Sequence, residues 1–566
     1  MRKLRWQLLI AVGGVVILLG YLFGQTPIIE LDEPEPISGG IYREALIGQV
    51  SRLNPLLDSY NQVDRDINRL LYRGLVRFDS RGIPIPDLAE SWAVSADATL
   101  YTFTLRADAT WHDGEPVRSD DIIYTFSRFQ DPDYPGPADL YQLWNEVNMV
   151  RLDDKTIQFQ LPEPYAPFLD FLSIGLLPDH LLRGVDSAEL INHPFNLEPI
   201  GNGPFQFARF LLEDDSVIGI ELKAFDQFYE GSPYLESIEF YFYLDEGRAL
   251  QAYLDEEVMG ISRVSPALLD QILEHQDLNL HSNRLPRIGT VFLNLNHPEK
   301  TFFAEKNFRK ALMHALKRQH LIDEVLFSQA TVATGPIFSG TWAYLNNLEI
   351  HPYDISLAEE MLDGLGWEIP IGANRGTSEY VRQKEGETLR FELIHAADPI
   401  QTAVANSLKD SWELIGIQVE LQRVENDELL SDHLETREFE AVLSDLNFGR
   451  FPDPDPYPFW HDSQVENGQN YGGFSDRNIG IWLEKARTTP DLLTRTDLYK
   501  NFQFRFQDQL PALGLYSPIY NYAIDASVQG VRMGSFYDPS DRFSSVLEWH
   551  LLFAQPALSS PAAGSS

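Results

Sequence analysis

The chain has 566 residues, 44% of them hydrophobic, and sets 44 Lys and Arg against 84 Asp and Glu for a formal net charge of −40. That balance excludes a nucleic-acid surface, since neutralising phosphates needs clustered Lys and Arg, and the acidity is read as solubilising. Cysteine is absent, which excludes disulfides, thiol nucleophiles, thiolate metal sites and a lipid-modified cysteine. A chain of this length calls for two or three lobes.

Arg2, Lys3 and Arg5 precede an apolar run over residues 8–23. The run approaches the roughly 20 residues that span a bilayer and exceeds the roughly 7–15 residues of a cleaved signal's apolar core. No Ala-x-Ala site follows, and the basic flank should stay in the cytoplasm. Residues 1–24 therefore read as an uncleaved signal anchor, with a cleaved signal as the alternative. Residues 25–38 are acidic and proline-containing, the composition of an extended linker.

A strand is expected over residues 41–46 and a helix over 64–75. Between them lies Asn54-Pro55-Leu56-Leu57-Asp58-Ser59-Tyr60-Asn61. Polar groups just before a helix N-terminus suit ligand contact, which makes Ser59, Tyr60 and Asn61 candidates; the alternative is an ordinary capped turn.

Residues 86–129 form the most informative stretch. Tyr101, Phe103 and Leu105 alternate with Thr102 and Thr104, the period of a half-buried strand. Trp111-His112-Asp113-Gly114 is a turn signal. Ser119 is expected to cap a helix with Asp120 and Asp121 in its first turn, and Ile122, Phe126 and Phe129 share its apolar face. Trp92 and Trp111 read as core anchors. Residues 156–161 alternate as another strand.

Ile200-Gly201-Asn202-Gly203-Pro204-Phe205 is a glycine-rich turn, and with no Gly-Lys-Ser/Thr after it, it is not a P-loop. A strand is expected at 291–296 and one amphipathic helix over 307–327. Asp354 should cap the helix at 355–365. A strand at 389–394, a helix at 400–414 and a strand at 417–421 form a β-α-β unit, which implies a parallel pair with a right-handed crossover. The apolar strand at 441–446 leads into a loop rich in aromatics, prolines and acids at 447–461. The tail 555–566 is small and polar, as in disordered segments. The fold class is α/β.

Catalytic motifs are missing: the sequence contains neither Gly-x-Ser-x-Gly nor His-Glu-x-x-His. His314 and His320 are six apart and on different helical faces. His112-Asp113 and His461-Asp462 read as turn residues beside aromatics. No catalytic residue, metal site or cofactor is expected.

The strand, Trp-x-Asp-Gly turn and capped helix of residues 86–129, followed in order by the glycine-rich turn, resemble the signature of the family 5 extracytoplasmic solute-binding proteins. These are the peptide-, dipeptide- and nickel-binding proteins of ABC importers. The resemblance implies a periplasmic-binding-protein-like fold of two lobes about a hinge, with an inserted third domain. It implies lobe I from residues 39–77, 197–286 and 522–554, the inserted domain at 78–196 and lobe II at 287–521. The hinge is expected at 287–290 and 521–524. Peptides are the implied cargo, ABC permease subunits the partners, and an extracytoplasmic monomer held at the membrane by residues 1–24 the implied form; the alternatives are a non-peptide solute (an anionic compound, metal chelate or oligosaccharide) and a membrane-tethered solute sensor without import. Asn294 joins the implied ligand set. So does the loop after residue 446, where family members pair an aspartate with the peptide amine. Aligning Asp453-Pro454-Asp455 with the family's Asp-Pro puts Arg450 in the amine position, where it would favour an anion. If Phe451-Pro452 is an insertion, Asp453 takes the amine. Phe448, Tyr457 and Trp460 are the implied aromatic wall.

Overall fold

A computed structural model of the chain describes residues 36–449, 451–534 and 536–552. The expected anchor at 1–24, nearly all of the linker, the tail at 555–566 and Arg450 lie outside the described residues.

Strand β1 (Ile41–Ile47) and helix α1 (Gln62–Leu71) open the fold, followed by the hairpin β2 (Val76–Phe78) and β3 (Pro84–Pro86). Strands β4 (Ala89–Val94), β5 (Leu100–Leu105), β6 (Asn148–Arg151) and β7 (Thr156–Gln160) make their own antiparallel sheet in the order β4-β5-β7-β6. Helix α2 (Ser119–Ser127) lies between β5 and β6, and the short helix α3 (Phe168–Phe171) follows β7. The chain then rejoins β1 through β8 (Phe205–Glu213), β9 (Ser216–Ala224), β10 (Ser237–Tyr243), β11 (Gly260–Ile261) and β12 (Leu278–Arg284).

Lobe II begins at β13 (Arg287–Leu293) and continues through helix α4 (Lys306–His314), β14 (Ala330–Val332), β15 (Arg390–Ala396), helix α5 (Pro399–Glu413), β16 (Gln418–Val424) and β17 (Ala441–Asn447). Helices α6 (Tyr457–Trp460), α7 (Arg477–Thr488) and α8 (Leu492–Gln509) lead to the 14-residue strand β18 (Ala512–Asp525). Among the described residues, 12 strands join in one sheet with the path β16-β15-β17-β13-β18-β11-β1-β10-β9-β8, while β12 and β14 also pair with β18. The β15-α5-β16 unit is parallel, as its sequence pattern requires.

Strand β18 belongs to both lobes. Its first half pairs with β13 and β14, up to Ala330 opposite Pro518. Its second half pairs with β12 from Ile519, opposite Arg284, to Asp525, opposite Leu278. The chain therefore passes between lobes at Leu285-Pro286 and within residues 516–519. The second hinge segment expected at 521–524 lies inside lobe I's ladder instead, because β12 is long enough to capture those residues.

Three other expectations shift for local reasons. Asn61 caps α1 with its side-chain oxygen, accepting from Val63 N–H and Asp64 N–H, so the helix starts before residue 64. Ser119 is the first helical residue of α2 rather than its cap; Asp121 reaches back to the Arg118 N–H (2.7 Å). The helix expected over 307–327 is broken after His314 and resumes as a short helical stretch over residues 318–325. Arg318 turns inward and donates to the carbonyls of Ala333 and Gly514, and Phe327 and Ser328 have φ of +51° and +60°.

Lobe I and the inserted domain share one apolar core. Tyr42, Ile67 and Leu70 of lobe I belong to the same cluster as Phe103, Trp111, Phe126 and Trp144 of the insertion. Phe126 stacks on Trp144 at 4.4 Å, and Trp111 is fully buried with its Nε1–H on Asp121 (3.1 Å). Trp92, half-buried, stacks on Phe103. Each such side chain contributes about 1.5–3 kcal/mol on burial. Lobe II has its own cores on the two faces of its sheet, as alternation along β13 dictates: Val291 and Leu293 on one face, Ile288 and Phe292 on the other.

The turn at 200–205 locks the insertion to α1. Asn202 N–H and Gly203 N–H both donate to the Leu71 carbonyl, and Asn202 Oδ1 accepts from Arg73 N–H (2.7 Å). His112 accepts from Gly201 N–H at Nδ1 (3.0 Å), and its Nε2 meets the Gly203 carbonyl at 3.1 Å. Burial holds His112 down to about 4, and hence neutral at physiological pH. Glycine is required here by close approach: a Cβ on Gly203 would sit 2.3 Å from the Leu70 oxygen.

Candidate ligand site

The candidate site is the cleft between lobe II and the body formed by lobe I with the insertion. At its hinge end a cavity of about 430 Å³ opens between both lobes. Lobe I contributes Ser282, Asn283 and Arg284 from the end of β12, and lobe II contributes Thr331, Phe338 and Ser339. Arg284 reaches across and donates from Nη1 to Ser339 Oγ (2.9 Å). Nearby, Tyr537 OH donates to the Gly340 carbonyl (3.0 Å), and the β2–β3 turn residue Gly82 sits against Tyr537 and Pro452.

At the far end the insertion meets lobe II across a polar seam. Asp453 N–H donates to Asp170 Oδ2 of α3 (2.7 Å), and Ala166 N–H donates to the Arg487 carbonyl (2.6 Å). Phe171 packs on Phe451 at 4.8 Å. Behind this contact, Arg495 grips Asp453 with both terminal nitrogens (2.6 and 2.9 Å), and both side chains are almost fully buried. Arg487 pairs with Asp455 (2.7 Å) and lies over the rings of Tyr457 and Tyr165. Burial raises the Asp170 carboxyl well above its usual range, and the neighbouring Asp453 charge adds to the rise.

The residues expected from sequence fall into different roles. Tyr60 projects into solvent at 84% exposure. Ser59 gives its carbonyl to Arg65 Nη1 (2.8 Å). Asn61 is spent as the α1 cap, and its amide nitrogen donates to the Gln49 carbonyl. The Asn294 side-chain amide donates to the carbonyls of Arg437 and Phe439 and accepts from Asn296 N–H, which makes it a strut of lobe II. Asp453 is corrected. Arg495 and the Asp455 N–H occupy its carboxylate at 7% side-chain exposure, so it does not face a ligand amine. The aromatic wall is dispersed. Trp460 is buried against Phe506, and Tyr457 is sandwiched between His461 and Arg487. Phe448 packs on Phe459, with its N–H on the hinge carbonyl of Pro286 (3.0 Å).

Sequence reading missed Arg284, Asp170, Arg487 and Arg495. The arginines that neutralise Asp453 and Asp455 lie 42 and 32 residues away in the chain, and no local pattern announces such pairs. Arg284 did carry a signal, since Leu285-Pro286 interrupts two strand-like runs directly after it. Among the described residues, no group of three His, Asp or Glu is placed to hold a metal ion.

The sequence model described as Bacterial extracellular solute-binding proteins, family 5 Middle, matches residues 84–469, more than half of the chain. The chain belongs to this family. Its relatives include the oligopeptide-binding protein AppA of Bacillus subtilis, 25% identical over 91% of this chain and 92% of that one. The dipeptide-binding protein of Escherichia coli is 27% identical over 78% of this chain and 83% of its own. Among solved structures, NikZ of Campylobacter jejuni in complex with Ni(L-His) superposes with a TM-score of 0.70 at 25% identity, covering 90% of this chain and 99% of that one. Like other members of the family, this chain is an extracytoplasmic solute binder with a mixed α/β fold. The matched residues cover nearly all of the insertion, the Arg284 strand, and Asp170, Asp453 and Asp455 of the seam, and end before Arg487 and Arg495.

Proposed function

We propose that this chain is the substrate-binding component of an ABC importer, which captures peptides by closing lobe II against the body of lobe I and the insertion, and delivers them to a permease. The carrying observation is mechanical. Among the described residues, Leu285-Pro286 and the β18 crossing join bodies that otherwise meet through polar contacts and the Phe171–Phe451 pair, so closure is a hinge motion whose equilibrium a ligand shifts. The names of the AppA and dipeptide-binding relatives support peptide cargo. Peptide main chain offers hydrogen bonds without demanding a sequence, which suits a cleft lined by hydroxyls and an amide.

The chain acts without catalysis, as a monomer, and residues 1–24 tether it outside the cytoplasmic membrane. Among the described residues no helix is long and apolar enough to cross a membrane. The lip at Ser59, Tyr60 and Asn61 and the loop at Phe448 border the ligand.

Mass spectrometry of small molecules released from the purified, folded chain tests the cargo. Intact peptides are expected; release of only non-peptide solutes overturns the peptide reading. Small-angle scattering with a bound peptide pool should show compaction, and an unchanged envelope would count against hinge closure.

A further inference from the structure

We propose that Arg73 and Asn202 form a site for a small inorganic oxyanion, sulfate or phosphate, at the joint between lobe I and the inserted domain. Neither residue lines the hinge cavity or takes part in the seam, so the site is independent of the cargo.

Two donors at this joint find no acceptor in the protein. Arg73 follows α1 directly and is half-buried. Every other described arginine that is half-buried or buried has a side-chain hydrogen bond or an ion pair, as Arg77 has with Glu230 and Arg106 with the Asp87 carbonyl. Among the described residues Arg73 has neither, and its Nε is shut off from solvent. Its guanidinium carbon lies 5.7 Å from the centre of the Phe228 ring, a contact that uses the charge and none of the N–H groups. Asn202 is 1% exposed. Its Oδ1 accepts from the Arg73 N–H, which fixes the amide beside Arg73 and leaves Nδ2 buried without an acceptor. A buried donor left so carries its full desolvation cost. A guanidinium and an amide together offer an oxyanion the N–H groups it accepts from.

The local charge has the matching sign. Arg73, Arg77 and Arg106 gather around Phe228, Tyr229 and Glu230. The acids that contact this group, Asp87 and Glu230, are engaged by the Tyr229 hydroxyl and by Arg77. One positive charge is left over in a chain whose formal net charge is −40. The end of α1 does not oppose an anion either, since the Leu71 carbonyl is covered by the Asn202 and Gly203 N–H groups. An oxyanion held there ties α1 to the turn at 200–205 and stiffens the body against which lobe II closes.

The full chain is titrated by calorimetry with sodium sulfate and with inorganic phosphate, against chloride at equal ionic strength. One anion per chain is expected to bind, and both anions should raise the thermal midpoint by mass action. Arg73→Gln should weaken both about tenfold or more. Asn202→Asp keeps the acceptor for the Arg73 N–H, removes the donor and should do the same. Arg284→Gln, in the cleft, should leave binding unchanged. Thermal unfolding in chloride checks that each variant folds, and Arg73→Lys, which keeps the cation without the fork, should retain part of the affinity. No saturable binding, binding that survives Arg73→Gln, or binding lost in Arg284→Gln overturns the site. Binding of phosphate without sulfate overturns it as well, since that preference needs an acceptor for the phosphate O–H.

Discussion

Lobe I and the inserted domain are joined by an extended apolar core, whereas lobe II is joined to them by charge, hydrogen bonds, the Phe171–Phe451 pair and two strands of backbone. On the first side Tyr42 and Leu70 share a core with Phe126 and Trp144, a contact that cannot slide without exposing apolar area. On the other side the principal contacts are Asp170 to the Asp453 N–H and Tyr537 to Gly340, each of which water can replace at modest net cost. The difference teaches which boundary moves. On the proposed closure, the insertion would travel with lobe I as one body, and the seam with lobe II would be the one that opens.

The comparison is broken most severely by Arg495→Ala. Asp453 would keep its burial beside Asp170 and Asp455 and lose its cation. Removing one partner of a buried pair costs about 3–5 kcal/mol. Arg495 also donates to the Ala486 carbonyl and so ties α8 to α7. The loss should therefore fall on a lobe II transition in urea, with the first body's transition unmoved. A single transition shifting as a unit would show that the two bodies do not unfold separately.

Gly203→Ala strikes the opposite side. The new Cβ meets the Leu70 carbonyl at 2.3 Å, and backbone at that distance must move. Overpacking of this kind costs about 1–3 kcal/mol. The transition of lobe I with the insertion should drop while that of lobe II stays. Hydrogen exchange localises the effect: protection should fall in α1 and around His112, which the turn holds together.

Which of these features could be read in the sequence follows from the range of the interactions. The Trp111–Gly114 turn, the Asp354 cap and the β15-α5-β16 unit were legible because period and capping act within a few residues. The helix expected over 307–327 was misread because its periodicity continues past residue 315, while Arg318 finds better acceptors at Ala333 and Gly514. The hinge was misplaced by the length of β12, which no single strand pattern reveals. In the loop at 447–461, aromatic content was read as a pocket wall, yet the same composition serves to pack Trp460 on Phe506 and Tyr457 on Arg487. Asp453 looked available for a ligand because its arginine is contributed by a distant helix.

Asp170 sharpens the comparison by making the seam titratable. Its carboxyl is raised by burial first and then by Asp453, with Asp455 adding and Arg495 opposing; Tyr165 and Arg487 complete the charged and titratable surroundings. Opening the seam returns it to water and to an ordinary carboxyl value near 3.8. The closed state therefore holds a proton to higher pH than the open state. Closure is fully favoured below the ordinary value and weakens as pH rises through the raised one. Ligand affinity, measured by calorimetry from pH 4 upward, should fall over that window. Asp170→Asn can still accept from the Asp453 N–H and should flatten the dependence. A slope unchanged in Asp170→Asn would place the titrating group elsewhere.

The smallest effect is expected at Tyr60, on the rim of the first body. The ring is 84% exposed, so Tyr60→Ala should change stability by no more than about 0.5 kcal/mol. Asn61 caps α1 through its own side chain, so the helix start survives the substitution. If the lip closes over the ligand, affinity should still weaken a few-fold, chiefly through faster dissociation. Stopped-flow release kinetics would read this directly. A variant with unchanged affinity and unchanged release would assign the segment to helix capping alone, and the ligand would then be held from the hinge cavity rather than from the rim.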